Sequence, residues 1–389
     1  MDYSSKEVAV EFPSFRLYKD GTVDRFDGDI TVLPSPYTEN GVRSKDIVIS
    51  PASGLSARLF LPKISDPTQK LPLLLYYHGG AFVIGSPFSP IFSAFVASVA
   101  AEANVIALSV NYRRAPENPL PAAFEDAWEA IEWVAAHYRG HGSEEWINQY
   151  ADLERVFVGG DSAGGTLANN IVLRAAVDGP RTVGLILYFP FFDGDEERNE
   201  LLDYIFPSYS GPGDLLVNPL SDPNLAKLGC SKVVVFVAEN DSLKARGWAY
   251  YEALKKSGWS GLVEIMEIEG EGHDFHLIKP ERALPTSRAR AKDEIVAVDY
   301  YTKWVEARPL VHITVKQVAS FVNKFIICRF GVPYKIITDN DIQFRDLLGA
   351  YCEEREINSH RVQTFEEVRN EEALVESLYS VEEKGRKLR

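Results

Sequence analysis

A serine on a glycine-rich turn is the feature of this sequence best suited to chemistry. Ser162 lies in GlyGlyAspSerAlaGlyGly, residues 159–165, after the apolar run Arg155–Val158 and before an amphipathic stretch that begins near Gly164. A G-x-S-x-G pentapeptide between a strand and a helix puts its serine on a sharp turn that exposes the hydroxyl. The N-terminus of the following helix presents N–H groups to developing negative charge. This arrangement predicts a nucleophilic serine.

A second glycine turn is predicted to lie close to this serine. His78, Gly79 and Gly80 come directly after the apolar run Leu71–Tyr77. Because glycine has no side chain, the backbone N–H groups of such a turn can approach a reacting oxygen. Each donor of this kind stabilises the oxyanion of acyl transfer by about 3–4 kcal/mol. We therefore expect the turn to supply an oxyanion hole, with His78 shaping it.

A nucleophilic serine also needs a base, and the base needs an acid that orients it. In a site of this kind the acid and then the base follow the serine along the chain. Asp241 comes after the apolar run Val233–Ala238, and His273 comes after the predicted strand Val263–Glu267. Both therefore fall at carboxyl ends of strands, where open α/β sheets build their sites. The sequence favours Asp241 as the acid and His273 as the base.

Each of these two roles has one alternative. His276 lies three residues after His273 and is the other candidate base. Asp126 is the other candidate acid, although it lies in a predicted helix, where a solvated or capping role is the simpler interpretation. The remaining histidines lie at a predicted helix end, in the glycine turn or beyond residue 290.

The runs that carry these residues alternate with amphipathic stretches, which predicts an α/β fold with a mainly parallel sheet. The runs are short, nearly continuously apolar and typical of strands buried on both faces. They are Leu71–Tyr77, Val105–Val110, Val156–Val158, Gly184–Phe189 and Val233–Ala238. The clearest helical stretches are Ala122–His137 and Gly164–Val177. Before them, Leu55–Leu61 alternates as a half-buried strand does.

Composition narrows the classes of function. The chain has 389 residues, with 41 Lys and Arg against 56 Asp and Glu, a net charge of −15. A field of that sign disfavours binding to nucleic acid or to a membrane surface. Cys230, Cys328 and Cys352 are far apart and do not have metal-ligand spacing. We expect no metal, cofactor, secretory signal or membrane span, and a location in the cytoplasm or nucleus.

Five segments now carry a resemblance to a known family. They are residues 78–82, 111–126, 160–165, 237–252 and 270–277. In this order they resemble the plant carboxylesterases, which belong to the hormone-sensitive-lipase-like branch of the α/β-hydrolases. The similarity extends from about Phe12 to Lys279.

The resemblance implies a role for each residue of the site. It implies Ser162 as nucleophile, His273 as base and Asp241 as acid, with the N–H groups of Gly79, Gly80 and Ala163 binding the oxyanion. It also implies a serine carboxylesterase that hydrolyses small neutral or aromatic esters through an acyl-enzyme, without a cofactor.

Two other functions stay open at this point. Dehydratases and acyl-transfer enzymes of plant secondary metabolism keep a similar site. A small-molecule binding protein without turnover is the second alternative, because gibberellin receptors resemble this family. Those receptors lack the catalytic histidine, so His273 argues against that alternative.

The C-terminal part resembles a different family. Residues 296–310 and 328–344 are similar to the integrase core of gypsy-type retrotransposons. That enzyme holds its metal ions with three carboxylates, and Asp339 matches the second of them. Because the other two are not recognisable here, we expect an incomplete ribonuclease-H-like fragment without metal, activity or nucleic-acid binding.

These resemblances predict four segments along the chain. Residues 1–280 form an α/β-hydrolase domain, residues 281–292 a junction, residues 293–352 the integrase-like fragment, and residues 353–389 a charged helical tail.

Overall fold

The computed structural model divides the chain into two units. The units are Met1–Leu284 and Pro285–Arg389. Described residues of the first unit are 7–26, 30–36, 41–66, 68–178, 182–194 and 198–278. In the second unit the structure describes Val322 and four short strands.

The first unit begins with a small antiparallel sheet. Its strands are β1 (Val8–Phe12), β2 (Phe15–Tyr18) and β3 (Val23–Arg25). The turn between β2 and β3 contains Gly21, whose φ of 82° is a conformation that favours glycine.

An eight-stranded sheet forms the centre of the first unit. Its strands are β4 (Arg43–Ser50), β5 (Leu55–Leu61), β6 (Leu71–Tyr77), β7 (Ile106–Asn111), β8 (Ala151–Asp161), β9 (Gly184–Tyr188), β10 (Lys232–Ala238) and β11 (Leu262–Ile268). Across the sheet their order is β11-β10-β9-β8-β6-β7-β5-β4. The six strands from β6 to β11 pair in parallel, and β5 pairs antiparallel with both β7 and β4. The predicted α/β fold with a mainly parallel sheet is confirmed.

Helices cover both faces of this sheet. They are α1 (Pro90–Glu102), α2 (Ala122–Tyr138), α3 (Glu145–Tyr150), α4 (Ala163–Asp178), α5 (Glu200–Ile205), α6 (Lys244–Lys256) and α7 (Phe275–Ile278), with 3-10 turns at Pro219–Ser221 and Leu225–Lys227. Apolar side chains of α2, α4 and α6 pack into one core, and those of α1 and α7 pack into another on the opposite face. No helix among the described residues is long and apolar enough to cross a membrane.

Strand β6 shows why these runs are nearly continuously apolar. Leu73, Leu75 and Tyr77 enter one core, whereas Leu74 and Tyr76 enter the other. Both faces of the strand are therefore covered, and burying each such side chain contributes about 1.5–3 kcal/mol.

Strand β5 differs from its prediction. Its pattern predicts a half-buried strand, but six of its seven residues are buried. The reason is its position between β4 and β7, with Leu59 in one core and Phe60 in the other.

The second unit contains two strand pairs. Strand β12 (Asp293–Val298) pairs antiparallel with β13 (Val305–Leu310), and β14 (Lys335–Thr338) pairs in parallel with β15 (Asn358–Arg361). The apolar stretches 295–298 and 336–337 of the sequence fall in β12 and β14. The junction 281–292, Asp339 and most of the predicted tail lie outside the described residues.

Candidate active site

Ser162 sits on a tight turn between β8 and α4. Its φ is 48°, in the left-handed region that non-glycine residues seldom adopt. Its backbone is held on both sides, since its N–H donates to the Tyr188 carbonyl at 2.9 Å and its carbonyl accepts from the Phe191 N–H at 3.0 Å. The fold therefore fixes the direction of this side chain.

The glycines of the turn are required by close backbone approaches. A Cβ on Gly160 would lie 2.3 Å from the Gly164 carbonyl oxygen. A Cβ on Gly164 would lie 2.0 Å from the carbonyl oxygen of Tyr77, at the end of β6. Strand β6 thus passes so near the turn that no side chain fits between them.

Three of the predicted site residues form a continuous chain of hydrogen bonds. Oγ of Ser162 lies 3.0 Å from Nε2 of His273, and Nδ1 of His273 lies 2.8 Å from Oδ2 of Asp241. A proton on Nδ1 satisfies Asp241 and leaves Nε2 to accept the serine hydroxyl proton. These residues come from the turns after β8, β10 and β11, at one edge of the sheet, as the strand order predicts.

A second hydrogen bond fixes the orientation of the Asp241 carboxyl. Asp241 is 6% exposed, and its Oδ1 accepts the backbone N–H of Leu243 at 2.8 Å. Only Oδ2 is therefore directed at His273. The carboxyl is held in one orientation by the turn that leads into α6.

Electrostatics favours the charged form of His273. Burial alone would lower its pKa, but the hydrogen bond to Asp241 and the charges of Asp274, Asp241 and Asp161 outweigh burial and raise the pKa above its ordinary value. The imidazolium that forms when this ring accepts a proton is thus stabilised.

Neither alternative residue takes part in this chain of hydrogen bonds. His276 is fully buried, and neither of its ring nitrogens has a hydrogen-bond partner among the described residues. Its ring packs on Tyr188, and burial lowers its pKa to about 3. Asp126 is buried on α2 and accepts the Arg113 backbone N–H at 2.7 Å and its guanidinium at 2.7 Å. Asp126 has this ion pair in place of the solvated or capping role that its helix suggested.

The HisGlyGly turn lies against the serine turn, as predicted. The His78 ring is buried, stacks on Tyr112 at 4.3 Å between ring centroids and lies 2.7 Å from the Gly79 carbonyl through Nδ1. Burial lowers the pKa of His78 to about 3, so the ring is neutral near pH 7. His78 shapes the turn and does not approach Ser162 as a base.

The three expected oxyanion donors differ in their contacts. The N–H of Gly79 donates to Oδ2 of Asp161 at 3.0 Å. The N–H groups of Gly80 and Ala163 make no hydrogen bond within the part of the chain that the structure describes. Asp161 accepts the N–H of Gly79 in this structure, and the oxyanion-binding role expected for the three amides stays a prediction.

Two carboxyls beside the site were not singled out from the sequence. Asp161 precedes Ser162 and accepts hydrogen bonds from the Tyr76 hydroxyl and Gly79. Asp274 follows His273, and its Oδ2 lies 3.2 Å from Nε2 of that ring. Adjacency to a reactive residue was the only sequence signal for either of them.

The described residues contain one group of potential metal ligands. It consists of Asp161, Asp274 and His276, whose ligand atoms lie within 4.8 Å of one another. Both oxygens of Asp161 already accept hydrogen bonds from protein groups. Oδ2 of Asp274 faces His273, so the atoms of this group without a partner among the described residues are Oδ1 of Asp274 and the two ring nitrogens of His276.

Comparisons with known proteins identify the family. A family model described as the α/β hydrolase fold matches residues 74–277. The chain is 45% identical to a probable mitochondrial carboxylesterase of Arabidopsis thaliana, over 72% of this chain and 80% of that protein. It is 43% identical to 2-hydroxyisoflavanone dehydratase of Glycyrrhiza echinata, over 72% of this chain and 93% of that protein. The chain belongs to the α/β-hydrolase family.

Solved structures agree with this family. The hyperthermophilic esterase of Pyrobaculum calidifontis is 27% identical with a TM-score of 0.51, over 61% of this chain and 79% of that one. The thermostable carboxylesterase EstE1 is 26% identical with a TM-score of 0.53, over 61% of this chain and 82% of that one. With the plant carboxylesterases, these likenesses confirm the prediction of a carboxylic ester hydrolase of the serine type.

Proposed function

We propose that Ser162, His273 and Asp241 carry out ester hydrolysis through an acyl-enzyme. His273 accepts the hydroxyl proton at Nε2 while Oγ of Ser162 attacks the ester carbonyl, and the same proton then passes to the leaving alcohol. Water, activated by His273, releases the acid. The observation that carries this proposal is the unbroken chain of bonds from Oγ through the imidazole to Asp241.

The oxyanion is assigned to two backbone donors. The N–H groups of Gly80 and Ala163 have no partner among the described residues and lie in the two turns that meet beside Ser162. The Ala163 N–H also lies in the first turn of α4, where the helix dipole favours negative charge. Gly79 serves instead to hold its turn in place through Asp161.

Small neutral or aromatic esters are the proposed substrates. Phe82 follows the HisGlyGly turn, and Phe191 is bound through its backbone to Ser162. Their rings meet edge to face with centroids 6.3 Å apart. Phe82 is buried, so the half-buried Phe191 is the apolar surface of this pair that favours an uncharged acyl or alcohol group.

Hydrolysis of p-nitrophenyl acetate and butyrate, with the acid and alcohol products quantified, tests this function. We expect equimolar acid and alcohol and no turnover by Ser162→Ala. Turnover of these esters by a folded Ser162→Ala chain, at the rate of the parent, would contradict the assignment.

Dehydration or acyl transfer is the second candidate, and the similarity to a dehydratase supports it. An enzyme of that kind would convert its substrate without releasing an acid and an alcohol together. Product analysis with a 2-hydroxyisoflavanone therefore separates the two candidates, because loss of water without release of acid and alcohol marks a dehydratase.

For the second unit we propose an incomplete integrase-like fragment without strand-cleaving activity. Its support is the resemblance in sequence and the single matched carboxylate, Asp339. The test is nicking of supercoiled DNA by the full chain with Mg²⁺. Cleavage that Asp339→Asn abolishes would contradict the proposal.

A further inference from the structure

His273 has a second carboxyl neighbour that the proposed mechanism does not use. Oδ2 of Asp274 lies 3.2 Å from Nε2 of His273, and Oγ of Ser162 lies 3.0 Å from the same nitrogen. Asp241 meets the ring on its other side, at Nδ1. The imidazole is therefore placed between two carboxyls.

An additional proton stabilises this placement. With its proton on Nδ1, a neutral imidazole carries a lone pair on Nε2, and a lone pair facing an ionised carboxylate at this distance is repelled. One additional proton removes the conflict. Either the imidazolium donates from Nε2 to Asp274, or a protonated Asp274 donates to Nε2. Both forms hold one proton on the same pair of atoms.

The surroundings of Asp274 favour retention of that proton. Oδ1 of Asp274 is buried and has no hydrogen-bond partner among the described residues. Asp161 at the end of β8 and His276 on α7 lie close to Asp274, and burial holds His276 neutral there. The charge of Asp241 after β10 also acts on Asp274. Burial raises the pKa of Asp274, an effect opposed by His273 and increased by Asp241. An uncompensated negative charge on this carboxyl is therefore disfavoured.

We propose that Asp274 is a positioning residue that keeps one proton on the His273 Nε2–Asp274 Oδ2 pair in the free enzyme. The inference rests on the proposed function, because it concerns the state of the base in that reaction. The proton must leave to solvent before Nε2 can accept the hydroxyl proton of Ser162. When Oγ then bonds to the ester carbon and the carbonyl electrons move to the oxyanion, the new imidazolium again faces Asp274 and is stabilised by it.

Asp274 should therefore raise the pKa of His273 above the value that Asp241 alone would give, so the reaction begins at a higher pH. An opposite charge within a few ångströms favours the charged form of a histidine by about 1–3 pH units. Loss of the Asp274 charge should move the acid limb of kcat/KM to lower pH by about one unit. The plateau rate should fall several-fold, because the imidazolium loses a partner.

The experiment uses the full chain and two replacements, Asp274→Asn and Asp274→Ala. The pH dependence of kcat/KM for p-nitrophenyl acetate is measured between about pH 5 and pH 9. This profile reports the pKa of the base in the free enzyme. The rate of inactivation by an organophosphate is followed over the same range, because it requires attack by Ser162 but no deacylation. Glu269→Gln is the matched control, since it removes an exposed carboxylate four residues before His273.

We expect both Asp274 variants to shift the acid limb to lower pH in both assays, with Glu269→Gln unchanged. Acid limbs that coincide with the parent in the two variants would overturn the proposal, as would an equal shift in Glu269→Gln. A parent that neither turns over esters nor reacts with the organophosphate at any pH would instead overturn the proposed function and this inference with it.

Discussion

The backbone N–H of Gly79 donates to Oδ2 of Asp161 at 3.0 Å, and this bond joins the two glycine turns of the site. Asp161 immediately precedes Ser162, so the residue that ends β8 also holds the turn that follows β6. The other oxygen of Asp161 accepts the Tyr76 hydroxyl. The relative position of nucleophile and oxyanion donors therefore depends on one buried carboxyl.

Removal of that carboxyl should slow the chemical step. We expect Asp161→Ala to lower kcat about 10- to 100-fold with a smaller change in KM, because displaced donors weaken transition-state binding more than substrate binding. Asp161→Asn retains one oxygen that can accept from the Gly79 N–H, so its kcat should lie between those of the parent and Asp161→Ala. Steady-state kinetics on p-nitrophenyl butyrate measures this order. An Asp161→Ala chain with parental kcat would show that the bond does not position the donors.

Gly164 tests the close approach of β6 to the serine turn. Its Cβ would meet backbone oxygen at 2.0 Å, which side-chain movement cannot relieve, so Gly164→Ala should displace Ser162 and destabilise the fold. We expect a lower melting temperature and an activity loss larger than the loss of folded protein. Gly213→Ala is the control, because its Cβ would meet no atom of the described residues within 4 Å. Equal activity and melting temperature in both variants would be incompatible with the observed turn.

The two aspartates that compete for the role of acid should respond differently. Asp241→Asn should lower kcat by about 10⁴-fold at little cost in stability, because the amide favours the wrong tautomer of His273. Asp126→Asn should leave kcat within about tenfold of the parent but destabilise the chain by about 1–3 kcal/mol, because its buried carboxylate pairs with Arg113. Kinetics and urea unfolding of both variants provide the comparison. The reverse pattern would return Asp126 to the role of acid.

His276 should affect stability at acid pH more than activity. Its pKa is about 3 in the folded chain, against about 6.5 when unfolded, so only the unfolded chain binds its proton between those values. Stability therefore falls as pH drops through this range, by about 1.4 kcal/mol per pH unit for this histidine. His276→Phe keeps the contacts with the surrounding rings and should remove that dependence while retaining esterase activity.

Unfolding of the His276→Phe variant between about pH 7 and pH 5 measures this change. The exposed His141 supplies the control, and His141→Gln should keep the parental slope. An inactive but folded His276→Phe chain would favour His276 as the base after all.

The sequence predicted the strand that leads to each reactive residue because local information was sufficient there. Strand β6 has the predicted bounds, and Ser162, Asp241 and His273 follow three strands whose carboxyl ends must share an edge. The parallel order of the sheet then brings these side chains together without further assumptions.

Contacts between distant segments were beyond such reasoning. The bond from Gly79 to Asp161 joins residues 82 apart in sequence and depends on the separation of two turns. The burial of β5 similarly depends on its neighbours in the sheet. No sequence pattern predicts that Asp274 lies close to Nε2 of His273. The direction of its side chain depends on a local φ of 55°.

In the proposed reaction Ser162 is the residue that becomes acylated. The most direct test of this assignment is reaction of the full chain with a fluorophosphonate, followed by peptide mass spectrometry, with His273→Ala alongside. We predict one adduct per chain on the peptide that contains Ser162, and labelling at least a hundredfold slower, on the order of the loss when a catalytic base is removed, in His273→Ala. An adduct on another residue, or equal labelling in the two chains, would contradict the claim.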